Sequence, residues 1–220
     1  EIVRLTRSRG VLSVETLSET LGVTASTIRR DLARLTADGT LARTYGGVMA
    51  VTPHPESGLA ERSEEATDAK RAIGVWCAGQ VVPGQTVLLD AGTTTAQVAR
   101  ALRGVSPLEA VTVGLTPLGQ LSGAEGLDVT LLGGRLREIS QGFVGPLTEA
   151  ALERLTFDAV FLGADAVTAE DGVCEATLEQ TRLKELMARR AERVFVVAHA
   201  EKLGQRPFHA WARLAPGWTL

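Results

Sequence analysis

Asp90, Gly92, Thr93, Thr94 and Thr95 stand in the run "TVLLDAGTTTAQVARAL", where an apolar stretch ends on a carboxylate and a small loop leads to a helix expected to begin near Ala96. A glycine-bearing loop between the carboxyl end of a strand and a helix N-terminus presents unpaired N–H groups and the positive end of the helix dipole, which suits a phosphate. Three consecutive hydroxyls add donors; the plainer alternative is that they only cap the helix. The chain has neither a GK[ST] ending nor a GxGxxG run here, so the loop reads as neither a nucleoside-triphosphate loop nor a dinucleotide site. A small phosphorylated ligand fits better.

A second chemistry-bearing run is "GVTASTIRRDLARLTADG", Gly22 to Gly39. At about 100° per residue, with Ile28, Leu32 and Leu35 turned inward, Ser26, Arg30, Ala33 and Arg34 point outward and Thr27 and Arg29 flank them. Small, hydroxylic and cationic side chains suit a DNA major groove, where arginine pairs with guanine through two hydrogen bonds. Arg43 and Tyr45 follow in "LARTYGGV", placed to touch the backbone beside that groove. An isolated outward arginine is ordinarily a solvated residue; it is the company of cap, turn and wing that carries the DNA reading.

The elements that must hold these residues follow from periodicity. Ile2 and Leu5 mark a first helix. Ser13 is placed to cap a second, with Val14, Leu17 and Leu21 on one face and Gly22 as its stop. Thr24 caps the third, Gly39 ends it, and "LARTYGGV" reads as strand and tight turn. Residues 1–50 are therefore expected to form a winged helix-turn-helix, and residues 51–58, within "MAVTPHPESG", a linker. Residues 59–220 are expected to form an α/β domain. A polar helical stretch, Leu59 to Val81, opens it. The short apolar runs "TVLLD", "AVTVGLT", "DVTLLGG", "AVFLGADAV" and "RVFVVAHA" then alternate with helical ones, the pattern of a parallel sheet covered on both faces.

Charge divides the same way. Residues 1–50 hold seven Arg against five acids (+2), and residues 51–220 hold sixteen Lys and Arg against twenty-one acids (−5), so only the first part could face a polyanion broadly. Twenty of the twenty-three basic residues are arginine, which singles out Lys70, Lys184 and Lys202 as positions demanding a compact ammonium. Cys77 and Cys174 form no CxxC pair and suggest no disulfide framework. No apolar run approaches the roughly 20 residues of a membrane span, no leader pattern is evident, and a cytoplasmic address is expected. The first residue is Glu1 and the periodicity begins mid-helix, so a few preceding residues are expected; "PGWTL" also stops abruptly. His54, His199 and His209 show no metal spacing, and neither GxSxG nor a Ser-His-Asp constellation can be assembled. No metal, cofactor or catalytic residue is expected.

"GVLSVETLSETLGVTASTIRRDLARLTADGTLARTYGGV" resembles the N-terminal domain of the DeoR family of bacterial transcriptional regulators, through "TIRRDL" and the later "G.L.R.YGG". The resemblance implies DNA contacts by Thr24, Ser26, Thr27, Arg29 and Arg30, with Arg43 and Tyr45 in the wing; Arg34 joins them from its place on the outward face. The rest resembles the family's C-terminal sensor domain through "DAGTTTAQVA", "LLGGRLRE...GFVG", "FDAVFLGADAV...GV" and "VVAHAEKLG". That domain is similar to sugar-phosphate isomerases such as ribose-5-phosphate isomerase. It implies phosphate binding by Asp90, Gly92, Thr93, Thr94 and Thr95 in a pocket lined by Gly133, Gly134, Asp165, Glu179, Lys184 and Lys202. The implied protein is a repressor of carbohydrate or related genes, acting on double-stranded operator DNA and answering to a phosphorylated sugar or similar metabolite; a winged helix reading one half-site buries little surface, so a homo-oligomer is expected.

The chain departs from the family pattern at Gly114 and Leu115, where Thr-Asn is usual, and at His199, Ala200 and Glu201, where Asp-Ser-Ser is usual. An amide donor is lost and a carboxylate appears beside Lys202. A different class remains open: an isomerase-like enzyme with a DNA-binding head, using Asp90, Asp165, Glu175, Glu179, Lys184 and Lys202, all types able to move protons. So does a C-terminal domain that only oligomerises.

Overall fold

The structure, a computed structural model, describes residues 1–37, 41–44, 47–50 and 56–220. Gly39, Tyr45, His54 and linker residues 51–55 lie outside the described residues.

Helices α1 (Ile2–Arg9), α2 (Val14–Leu21) and α3 (Ala25–Ala37) precede a two-stranded antiparallel sheet of β1 (Leu41–Thr44) and β2 (Gly47–Ala50). The caps lie where the sequence places them. Ser13 accepts a hydrogen bond from the Thr16 N–H, Gly22 closes α2 in the left-handed region, and Thr24 accepts from the Thr27 N–H at 3.3 Å. Leu5, Leu17, Ile28, Leu32, Leu41 and Val48 bury together as one core, so the inward stripe of α3 rests on α1, α2 and the wing. A wing strand is pinned back by mutual backbone bonds between Leu12 and Val48.

The polar helical stretch is not continuous. It forms α4 (Leu59–Glu64) and α5 (Thr67–Ala78), broken where Ala66 takes a left-handed conformation, φ 49°. The chain continues through β3 (Thr86–Leu89), α6 (Thr93–Leu102), β4 (Leu108–Thr112), α7 (Leu115–Leu121) and β5 (Leu127–Leu131). A hairpin of β6 (Arg135–Arg137) and β7 (Gly142–Val144) leads to α8 (Pro146–Leu152) and β8 (Phe157–Leu162). Then come β9 (Ala166–Thr168), β10 (Gly172–Glu175), α9 (Leu178–Arg189), β11 (Ala191–Val196), a short 3-10 turn (Ala200–Lys202) and β12 (Ala210–Ala212).

The main sheet is parallel, in the order β11-β8-β3-β4-β5, while β12, β10 and β9 form a small antiparallel sheet. Alternate strand residues explain both layers. Val87, Leu89, Ala159, Phe161 and Phe195 face α5, α6 and α7. Leu88, Val111, Val160 and Leu162 face α8 and α9, where Leu152, Leu183 and Met187 close the core. From β3 the chain runs outward through β4 and β5, then returns to β3's other side with β8 and β11. Strand order therefore reverses between β3 and β8, and a crevice opens outside their carboxyl ends. No helix among the described residues is long and apolar enough to cross a membrane.

Candidate functional site

Asp90 follows β3 into that crevice and is committed on both oxygens. Oδ1 accepts from the Ala91 N–H at 2.8 Å, and Oδ2 accepts from the Gly163 N–H at 3.0 Å and pairs with the Lys184 ammonium. Gly92 caps α6 at φ 143°, a conformation side-chain-bearing residues rarely adopt. The helix starts at Thr93, three residues before the expected Ala96, so the threonines form its first turn and do not precede it. Ala96 N–H bonds to the Gly92 carbonyl, and the N–H groups of Thr93, Thr94 and Thr95 have no partner among the described residues. Their hydroxyls divide: Thr95 donates back to Gly92 O at 3.0 Å, Thr93 reaches Arg62 O at 3.4 Å, and Thr94 borders the crevice without a partner among the described residues. None of the three hydroxyls accepts from an N–H of α6 among the described residues, so the capping alternative does not hold.

The departure at Gly114 has a packing reason. A Cβ on Gly114 would stand 2.6 Å from Ala91 Cα, so the close approach of the β4–α7 corner to the cradle excludes any side chain there. Leu115 opens α7, and the next residue, Thr116, puts its hydroxyl on both backbone groups of Gly92, accepting from N–H at 3.3 Å and donating to O at 3.1 Å. A threonine thus braces the loop.

Lys184, on α9, is buried and spends all three ammonium hydrogens inside the protein: on Asp90, on Gly163 O at 2.9 Å, and on Glu175, 3.1 Å away. Burial opposes its charge, but Asp90 and Glu175 outweigh burial and raise its proton affinity above an ordinary lysine's. Burial pushes the Glu175 carboxyl up to about 8, against Lys184 and with help from Asp165 and Asp90. Gln180 donates to its other oxygen at 2.9 Å. Lys202 donates to Ala164 O at 2.6 Å and retains two hydrogens; burial lowers its proton affinity, with Asp165 and Glu175 opposing. Asp165 makes no side-chain hydrogen bond among the described residues, and burial raises its pKa.

The crevice and its open mouth together span about 630 Å³. Asp90, Gly92, the three threonines, Asp165, Lys184 and Lys202 line it together. The structure does not bring the remaining expected residues there. Gly133 accepts from the Thr148 hydroxyl at 2.9 Å, and a Cβ on Gly134 would stand 2.2 Å from that hydroxyl, so the pair serves packing of α8. Glu179 pairs with exposed Arg135 on β6. Arg62, from α4, was not expected and lines the crevice: its guanidinium lies 3.7 Å from both Asp165 and Glu56, and Glu56 also pairs with Arg137 on β6. Its position in a polar helix far along the chain gave no local signal.

In the N-terminal part, Thr24, Ser26, Thr27, Arg29, Arg30 and Arg34 are all exposed, as is Arg43 on β1. The hydroxyls of Thr24, Ser26 and Thr27 hydrogen-bond one another, so they open α3 as a capped cluster beside the arginines.

Residues 1–54 match the DeoR-like helix-turn-helix domain and residues 65–216 the DeoR C-terminal sensor domain. The chain belongs to the DeoR family. This DeoR protein is 37% identical over 217 residues to the HTH-type transcriptional regulator GlpR of Haloferax volcanii, covering 97% of this chain and 84% of that one. It is 29% identical to the glycerol-3-phosphate regulon repressor of Escherichia coli K12, covering 93% and 81%. A ribose 5-phosphate isomerase A from Methanocaldococcus jannaschii superposes with a TM-score of 0.45 at 15% identity, over 62% of this chain and 54% of that one. As a DeoR-family member the chain is a DNA-binding transcriptional regulator.

Proposed function

We propose that the protein is a repressor of carbohydrate-related genes whose α/β domain, residues 59–220, binds a phosphorylated small metabolite and whose winged helix, residues 1–50, reads a symmetric operator as a homo-oligomer. The observation that carries the effector reading is the cradle. Three N–H groups and the Thr94 hydroxyl, all without partners among the described residues, converge at the N-terminus of α6, at the point where strand order reverses. Asp90 and Lys184 hold the cradle in shape and spend their hydrogen-bonding groups inside the protein, while Lys202 has donors to spare for the phosphate. The name of the Escherichia coli relative, which specifies glycerol-3-phosphate, agrees with that ligand chemistry. On the DNA side, Arg30 reads a base from the outward face of α3, Arg29 lies nearer the backbone, and Arg34 and Arg43 extend the contact.

Coupling between the two runs through Arg62 and Glu56. A ligand that draws Arg62 toward Asp165 changes what holds Glu56, and Glu56 lies within the linker. A metabolite binding the DNA-incompetent state more tightly weakens operator binding, and operator DNA weakens metabolite binding by the same factor. Asp90, Glu175 and Lys184 are bound to one another, which favours sensing over isomerisation. A thermal-shift screen with phosphorylated sugars, run beside a turnover assay on the same compounds, tests this: stabilisation without isomerisation is expected, and isomerisation would replace the sensor with an enzyme.

A further inference from the structure

Beside the crevice lies a second chamber, bordered by Glu56, Glu65, His199 and Gln205, and the two share Arg62, Asp165 and Lys202 as a common wall. Four buried side-chain polar atoms have no hydrogen-bond partner among the described residues, and three belong to this wall and chamber: Arg62 Nε, Asp165 Oδ2 and His199 Nε2. Buried polar groups in folded proteins are nearly always satisfied, so a cluster of orphans beside a cavity marks where a partner belongs. The chemistry of the set restricts that partner. Arg62 Nε only donates, the Asp165 carboxylate accepts, and a histidine nitrogen does either, so the partner must donate and accept at neighbouring atoms. Four carboxylates, Glu56, Glu65, Asp165 and Glu201, border the chamber with Arg62 and Lys202, and Arg137 pairs with Glu56, so no excess of positive charge is left to draw a second anion. Hydroxyl groups meet both conditions.

We propose that the effector spans both chambers, with its phosphate on the α6 cradle and an open polyhydroxyl chain passing Lys202 to reach Arg62, Asp165 and His199. The proposal rests on the sensor reading above and extends it to a ligand class: phosphate monoesters of longer polyols or sugars, in preference to short ones.

The test is calorimetric titration of the full chain with inorganic phosphate, glycerol 3-phosphate, erythritol 4-phosphate, ribitol 5-phosphate and glucitol 6-phosphate. Affinity should rise at least tenfold from glycerol 3-phosphate to the tightest longer member. His199→Phe should shrink that gain to less than threefold; if circular dichroism shows this variant unfolded, His199→Gln replaces it with the same criterion. Binding that does not depend on chain length shows the second chamber to be filled by water and overturns this proposal alone. So does a gain that survives loss of His199. No binding by any member, phosphate included, overturns the sensor reading beneath it.

Discussion

The Lys184 ammonium on α9 pairs with Asp90 at the end of β3 while donating to Gly163 at the end of β8, so one buried side chain ties together the two strands between which strand order reverses. The cradle depends on this tie, because Asp90 also fixes Ala91 at the foot of the loop.

Lys184→Met should therefore cost stability by leaving a buried carboxylate without its countercharge. The expected loss is about 3–5 kcal/mol in denaturant unfolding. Combining it with Asp90→Asn should cost less than the sum of the two single changes, since both act on one interaction. A loss below about 1 kcal/mol would show that the pair is not what holds the corner.

Arg30→Ala should weaken specific operator binding by roughly 1–3 kcal/mol at matched salt, the worth of a bidentate base contact. Arg29→Ala should weaken specific and non-specific binding alike. Unchanged operator affinity in Arg30→Ala would mean that the outward face of α3 is not the one that meets the groove.

Glu175 gives the protein a pH signature. Its carboxyl titrates at about 8 in the fold against an ordinary value of 4.5, so the folded state holds the proton more tightly. The associated stability is complete below about 4.5 and is lost as pH rises through about 8. Glu175→Gln removes that dependence. Its melting temperature relative to the parent should climb by on the order of 10 °C between pH 5 and pH 9. A difference that stays flat or falls across that range contradicts the assignment.

Glu56→Gln should loosen the coupling while sparing the operator-binding face. Arg137 and Arg62 both hold Glu56, and Arg62 is the crevice residue nearest the linker. The factor by which effector changes operator affinity should fall severalfold, with operator affinity measured without effector changing little. Full retention of the factor would route the coupling elsewhere.

What the sequence made legible was local. Ser13, Gly22 and Thr24 act on groups within a few residues of themselves, so the winged helix is readable from its caps and the spacing of Leu17, Ile28 and Leu32. The same holds for the α6 cradle, whose strand, glycine and threonines are contiguous; only its first turn was misplaced, because Gly92 already supplies the cap. Gly133, Gly134 and Glu179 were assigned to the pocket by motif, yet Thr148 and Arg135 claim them through contacts across the fold. Arg62 and Gly163 escaped notice for the converse reason. Their roles arise only when α4 and the end of β8 are brought against β3, an arrangement carried by the sheet order and by no local pattern. Gly114, a departure from the family pattern in the sequence, is a requirement of close packing on Ala91 in the fold.

The most direct test is operator affinity measured with and without the sugar phosphate that most stabilises the protein, in the parent and in Thr94→Val. The parent should release operator at least tenfold more readily with ligand, and Thr94→Val should bind operator as the parent does but ignore the ligand. Equal operator affinity with and without ligand in the parent, or a full response in Thr94→Val, would contradict the cradle as the effector's phosphate site.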